Sequence, residues 1–209
     1  MAKAAESMDT ILSLPFRLEI LALTLLGWFT IYFFVNRLEV EPKSRLDLAI
    51  PLDQKIPFVP QLALVYFSTY IFVIQPFIIL SEARQFYWML ACFSSITVAA
   101  SLIHATIPSK IQRIEKLDAD GFSTKLINLF QKTCQPYGNF PSMHVALSVP
   151  VIGANFMAAG LTMGFITLAW AILIALSTLF TKQHYILDVL AGLSGGVLIY
   201  LLTYWLMMG

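Results

Sequence analysis

Between Val145 and Phe180 the chain carries no aspartate, glutamate, lysine or arginine. As one helix that stretch would run to ~54 Å at 1.5 Å per residue, well beyond the ~30 Å hydrocarbon core of a bilayer. It is too long to cross once and too apolar for water, so it predicts two membrane spans joined by a short turn. Asn155 and the Ala-Ala-Gly at 158–160 place that turn near Met157–Gly160. A span needs about 20 helical residues, and four other runs meet that need. Leu18–Val35 is closed by Asn36 and Arg37; Leu62–Leu80 is uncharged, with a kink expected at Pro76; Phe86–Ile107 follows; Tyr185–Met208 is the last.

The expected fold class is therefore all-α, an integral membrane bundle of six transmembrane helices. The chain reads as a single membrane domain over 1–209, with spans at about 18–35, 62–80, 86–107, 144–159, 162–181 and 185–208 and an active-site loop at 108–143. Helices are required because the runs lack the alternation of a membrane barrel and lipid cannot satisfy loose backbone groups. Composition agrees: 58% of residues are hydrophobic and 12% charged, against roughly a quarter charged in a soluble domain. The formal net charge of +1 argues against a nucleic-acid partner, which would need a basic surface. Cys92 and Cys134 form neither a disulfide framework nor a metal spacing and are read as structural. The segment Met1–Thr10 leads into the first run with no clear cleavage site, so that run is expected to be retained.

With six spans, the polar segments Asn36–Gln61 and Pro108–Met143 and the turn before His184 fall on one side of the membrane. Part of the first mixes apolar and charged residues and is expected along the interface. Three groups of residues on that side carry chemistry. In Pro141-Ser142-Met143-His144 the proline suits the first turn of a helix, whose free amides favour an anion such as phosphate. Ser142 either caps that helix or donates to a phosphate oxygen, and His144 faces the same mouth. His184 and Asp188, four apart, share a helix face. A carboxylate there can hold one ring nitrogen and leave the other free to attack, or the pair is a structural hydrogen bond. Lys110 and Arg113 follow the third span, where they either clamp phosphate oxygens or act as interfacial anchors. His104 is read as a packing or interface residue.

In order and position these segments resemble the type 2 phosphatidic acid phosphatase superfamily. Its Pro-Ser-x-His block is matched by Pro141, Ser142 and His144; in its third block Ser177, His184 and Asp188 are in register, with Thr178 in place of the arginine. The first block is matched only by Arg113, with Thr106 at the lysine position and Ile114 at the proline. Lys110 and Lys182 are expected to supply the missing charge, joining Arg113 and Ser142 as phosphate-binding residues. Phe-Pro-Ser-Met-His-Val at 140–145 and Thr-x-x-His-Tyr-x-x-Asp-Val at 181–189 look like the branch containing inositol phosphorylceramide synthases. Ile50–Phe58 is similar to a segment before the second span in bacterial members of that branch. The resemblance covers about residues 47–196.

It implies that His184 attacks phosphorus, Asp188 stabilises the resulting imidazolium and His144 protonates the leaving oxygen. The phosphohistidine then passes to water in a phosphatase, or to a lipid or polyol hydroxyl in a transferase. No metal or other cofactor is expected, since one aspartate and two histidines do not make a convincing ligand set. The leading expectation is a lipid phosphate phosphatase acting on a phosphomonoester or diphosphate of a lipid, because a compact bundle leaves little room for two bound lipids. The alternatives are a lipid headgroup phosphotransferase and, in another class, a non-enzymatic transporter or scaffold using the polar cluster as a proton relay.

Two arguments about orientation disagree. Arg37, Lys43, Arg45, Lys55, Lys110, Arg113, Lys116, Lys125, Lys132 and Lys182 lie on the site's side, against Lys3, Arg17 and Arg84 on the other. The positive-inside rule makes that side cytoplasmic. The resemblance implies an extracytoplasmic site, and this is the expectation adopted, because substrate-binding cations inflate the count.

Overall fold

The computed structural model describes residues 10–38, 45–114 and 121–209. The expectations attached to the segment before Thr10, to Lys3, Lys43 and Lys116 in the cation count, and to residues 115–120 of the loop lie outside the described residues. In chain order the elements are α1 (Leu14–Asn36), β1 (Leu46–Asp47), α2 (Pro51–Lys55), a 3-10 turn (Pro60–Leu62) running into α3 (Ala63–Phe67), α4 (Thr69–Ile79), α5 (Ala83–Thr106), β2 (Ser109–Lys110), α6 (Phe122–Thr133), α7 (Met143–Ala158), α8 (Gly160–Phe180) and α9 (Ile186–Met208).

Among the described residues five helical runs are long and apolar enough to cross a membrane: α1, the Pro60–Ile79 run, α5, α8 and α9. The sixth expected crossing corresponds to α7, which is apolar but has only 16 residues, below the ~17 that a bilayer core demands. It is the most enclosed helix, packed against α4, α5, α8 and α9, and ten of its residues are buried.

The second run is interrupted at Ser68, where α3 gives way to α4, and Pro76 lies inside α4 without breaking it. The interruption at Ser68 was not expected from the sequence. The Ser68 hydroxyl donates to the Val65 carbonyl at 2.6 Å and accepts the Trp170 indole N–H at 2.8 Å. A hydroxyl bonded to a carbonyl one turn back competes with the helix's own amide.

Phe72, Phe77, Phe86, Trp88, Met89, Leu147, Val151 and Ile174 are fully buried where α4, α5, α7 and α8 meet. Helix α1 lies at the edge of this core, which only Leu21 enters; Arg17 and Asn36 are its other buried residues. Both of its ends are pinned. The Arg17 guanidinium donates to the Phe77, Ile78 and Leu80 carbonyls at the end of α4. The Asn36 side chain accepts the Gln135 amide at 2.9 Å and donates to the Tyr137 carbonyl at 3.1 Å.

At the Asn36 end the polar segments form a cap. Strand β1 pairs in parallel with β2, and Lys110 bridges to Tyr137. The Val59 amide donates to the Phe180 carbonyl at 2.9 Å. Helix α6 packs on the 3-10 turn and α3, burying Thr124 and Ile127 while exposing Phe122, Lys125, Leu129 and Lys132. That mixed outer face suits a helix lying at a membrane surface.

Candidate active site

The turn between α8 and α9 is tight because Lys182 takes a left-handed conformation, φ 56°, and the Thr178 carbonyl accepts the amides of both Gln183 (2.9 Å) and His184 (3.1 Å). His184 therefore lies just before α9, not on it, which corrects the shared-helix-face expectation. Asp188 reaches back over the helix start instead. Its Oδ2 accepts the Tyr185 N–H at 2.8 Å, satisfying an amide that the helix cannot. The same oxygen stands 3.5 Å from His184 Nδ1, a charge contact longer than the 2.7–3.2 Å of a full hydrogen bond.

Ser142 is the N-cap residue of α7, and Pro141 precedes it instead of occupying the first turn. The Ser142 amide donates to the Asp188 carbonyl at 2.9 Å, so α7 starts directly on α9. The contact is possible because Gly192 and Gly196 face α7: a Cβ on Gly192 would lie 2.4 Å from the Ser142 carbonyl oxygen, and one on Gly196 2.7 Å from that of Ala146. Two small residues four apart are the usual device for bringing helix backbones together in membranes.

The close approach sets His144 Nδ1 3.2 Å from His184 Nε2, with the rings edge-on at 5.4 Å. With Nδ1–H of His184 turned to Asp188, Nε2 is an acceptor, and Nδ1–H of His144 donates to it. The Tyr66 ring covers His144 at 4.7 Å. Both histidines line a cavity of about 260 Å³ whose other walls are largely aromatic, drawn from α1, α3, α4 and α6.

Arg113 also lines this cavity. Its Nη1 donates to the Gln131 (2.9 Å) and Cys134 (2.6 Å) carbonyls and its Nη2 to Gln135 (3.1 Å), so it caps the end of α6. Burial lowers its pKa from the ordinary guanidinium value. Its segment is tied to α9 by the Gln112 amide, which donates to the Tyr185 hydroxyl at 3.1 Å. Lys110 sits at the rim, 4.0 Å from Asp47 and substantially exposed. Lys182 turns its ammonium to the carbonyls of Asp53 (2.8 Å) and Ile56 (2.5 Å), and burial lowers its pKa. The structure thus gathers His144, His184, Asp188 and Ser142, puts Arg113 on the same cavity, and directs the Lys110 and Lys182 side chains to other partners.

Three residues near the site carried no functional role in the sequence reading. His104, expected only to pack, lines the cavity and bonds the Pro141 carbonyl through Nε2 at 3.0 Å, holding the loop that leads into α7. Asn139 lines the cavity beside it. Asp53 is buried in α2. None carried a local signal except Asp53, whose charge in the Ile50–Phe58 segment was visible but had no assigned partner.

Arg113 Nε, Asn139 Nδ2 and Ser142 Oγ are buried donors with no hydrogen-bond partner among the described residues. Leaving such groups unpaired costs ~1–3 kcal/mol each; Arg113 and Asn139 line the cavity, whereas Ser142 is fully enclosed and is not among its lining residues. Chemically, the site offers a nucleophilic nitrogen, a second imidazole able to exchange a proton beside it, unpaired donors and an apolar chamber. Among the described residues no three histidine, cysteine or acidic side chains are grouped as metal ligands.

A family model described as PAP2 superfamily matches residues 46–203. Neither a curated protein nor a solved structure matches the chain.

Proposed function

The chain belongs to the PAP2 superfamily, and from that premise we propose that it is a membrane phosphatase that hydrolyses a phosphomonoester or diphosphate of a lipid through a phosphohistidine. The observation that carries this reading is the 3.2 Å approach of His144 Nδ1 to His184 Nε2, with Asp188 on the far ring nitrogen, at the wall of an aromatic cavity.

The phosphoryl group enters between the two rings and replaces their mutual hydrogen bond. Nε2 of His184 attacks phosphorus; the bond to the leaving oxygen breaks with its electron pair on that oxygen, and His144, which enters the step as the imidazolium with a proton brought in by the substrate's phosphate, protonates that oxygen from Nδ1 and becomes neutral. Asp188 offsets the charge on the phosphorylated imidazole. Arg113 donates to the remaining oxygens. Water then attacks phosphorus, His144 takes its proton, and the P–N bond breaks to release phosphate and restore His184.

Purified protein in detergent is expected to release inorganic phosphate from dioctanoyl phosphatidate or farnesyl diphosphate, and to form an acid-labile, base-stable phosphoenzyme when quenched early. Headgroup exchange between two lipids with no free phosphate would replace this reading with the phosphotransferase one. That second reading is favoured by Thr178, which stands at the arginine position of the third block; it is fully buried and its hydroxyl donates to the Ala175 carbonyl.

In this reading α7, ~24 Å long at 1.5 Å per residue, is the sixth crossing, and the site opens on the extracytoplasmic face. Lys125 on α6 is exposed, whereas both native cysteines are buried. Lys125→Cys is therefore expected to react with a membrane-impermeant maleimide on intact cells over a low background. Labelling only after lysis would put the site in the cytoplasm.

A further inference from the structure

Asp53 lies outside every span and every motif block, yet it is only 5% exposed. A buried carboxylate must find donors, and both of its oxygens take backbone amides. Oδ2 accepts the Ile50 N–H at 2.8 Å, closing the first turn of α2; Oδ1 accepts the Ile186 N–H at 2.9 Å. Ile186 is the first residue of α9, so its amide has no partner within the helix, and the helix dipole favours a negative charge there.

From the other side, the Lys182 ammonium holds the Asp53 and Ile56 carbonyls, and the Val59 amide holds Phe180. Residues 53–59 and 180–186 are laced by these four hydrogen bonds. His184 lies inside the laced turn, between Lys182 and Ile186. Asp188 restrains the same turn from within α9, and Asp53 restrains it from a different part of the chain.

We propose that Asp53 is a positioning residue for the nucleophile: by accepting the Ile186 amide it fixes the turn that aims His184 at the substrate phosphorus. The inference rests on the reading of His184 as nucleophile. A displacement of ~1 Å at a reacting group can cost ~10²-fold in rate, so a turn freed at Ile186, with only the Lys182 and Val59 bonds left to hold it from outside, would attack poorly.

The test uses the full chain in detergent, with dioctanoyl phosphatidate as substrate and orthovanadate as a phosphate analogue whose binding is read through tryptophan fluorescence, since Trp28 lines the cavity. Asp53→Ala is expected to lower kcat per active site, counted from the phosphoenzyme burst, by ~10–100-fold, the range seen when outer-shell supports of a reactive group are lost. KM should stay within about threefold and vanadate affinity should fall about tenfold on the same scale. Ile186→Pro removes the donor N–H, together with part of a half-buried side chain, at a helix position where proline is well tolerated, and the extended backbone of Tyr185 (φ −90°, ψ 164°) accommodates a following proline. It keeps the test open if Asp53→Ala fails to fold. It should show the same loss, and adding Asp53→Ala to it should cost little more.

A merely structural role would lower the count of active sites or the Tm and leave kcat per site unchanged. That result in Ile186→Pro, with wild-type protein active, overturns the positioning role alone. Wild-type protein that neither releases phosphate nor binds vanadate overturns the phosphatase reading and this inference with it.

Discussion

Replacing His184 with alanine is expected to abolish phosphate release, lowering kcat by at least ~10³-fold, because no covalent path remains and the proton exchange it supports, itself typically 10²–10⁴-fold, goes with it. No phosphoenzyme should form. The fold should survive: the backbone of the turn is held by Thr178, Asp53 and Asp188 through the main chain, so the Tm in detergent should move by only a few degrees, as for a loss of about 1 kcal/mol. His144→Ala removes the proton donor but leaves the nucleophile, so a phosphoenzyme should still accumulate slowly from a substrate with a good leaving group. The two losses should not multiply, since residues acting as one unit are not additive. Phosphate release from His184→Ala within tenfold of wild type would leave the polar cluster as a relay or scaffold.

Gly192→Ala should be nearly as damaging although it touches no reacting atom. The added methyl would sit 2.4 Å from the Ser142 carbonyl oxygen, a backbone atom that can retreat only by moving the start of α7 off α9. That movement lengthens the Ser142–Asp188 hydrogen bond and carries His144 away from His184. The expected result is about a 10²-fold fall in kcat for a shift near 1 Å, together with a destabilisation of ~1–3 kcal/mol from overpacking. Gly195 supplies the contrast. A Cβ there meets nothing within 4 Å, so Gly195→Ala should leave activity unchanged and raise stability by up to about 1 kcal/mol through helix propensity alone. Activity assays and thermal unfolding of the two variants side by side check this; equal behaviour would mean that the α7–α9 contact does not control the site.

Particular residues show how far the sequence could be read. The apolar runs marked α1, α4, α5, α8 and α9 because lipid acts on composition within one continuous stretch. His144, His184 and Asp188 were visible because ionisable side chains at the mouths of apolar helices need a reason to be there. The interruption at Ser68 was overlooked, since its effect on the helix depends on a hydroxyl rotamer and on Trp170, far along the chain. Lys110 and Lys182 were selected as cations near the site, but charge alone does not tell which acceptor a flexible side chain reaches. Asp47 and the Asp53 and Ile56 carbonyls take them.

The sequence alone pointed to lipid as the solvent and determined the helical class and the identity of the candidate reactive groups, since each depends on residue type along a local stretch. Tertiary structure decided how those groups meet. His144 and His184, 40 positions apart, come within reach because two glycines let helix backbones touch. Asp53 joins them from 133 positions away, because a free amide at a helix start accepts whichever buried carboxylate the packing delivers.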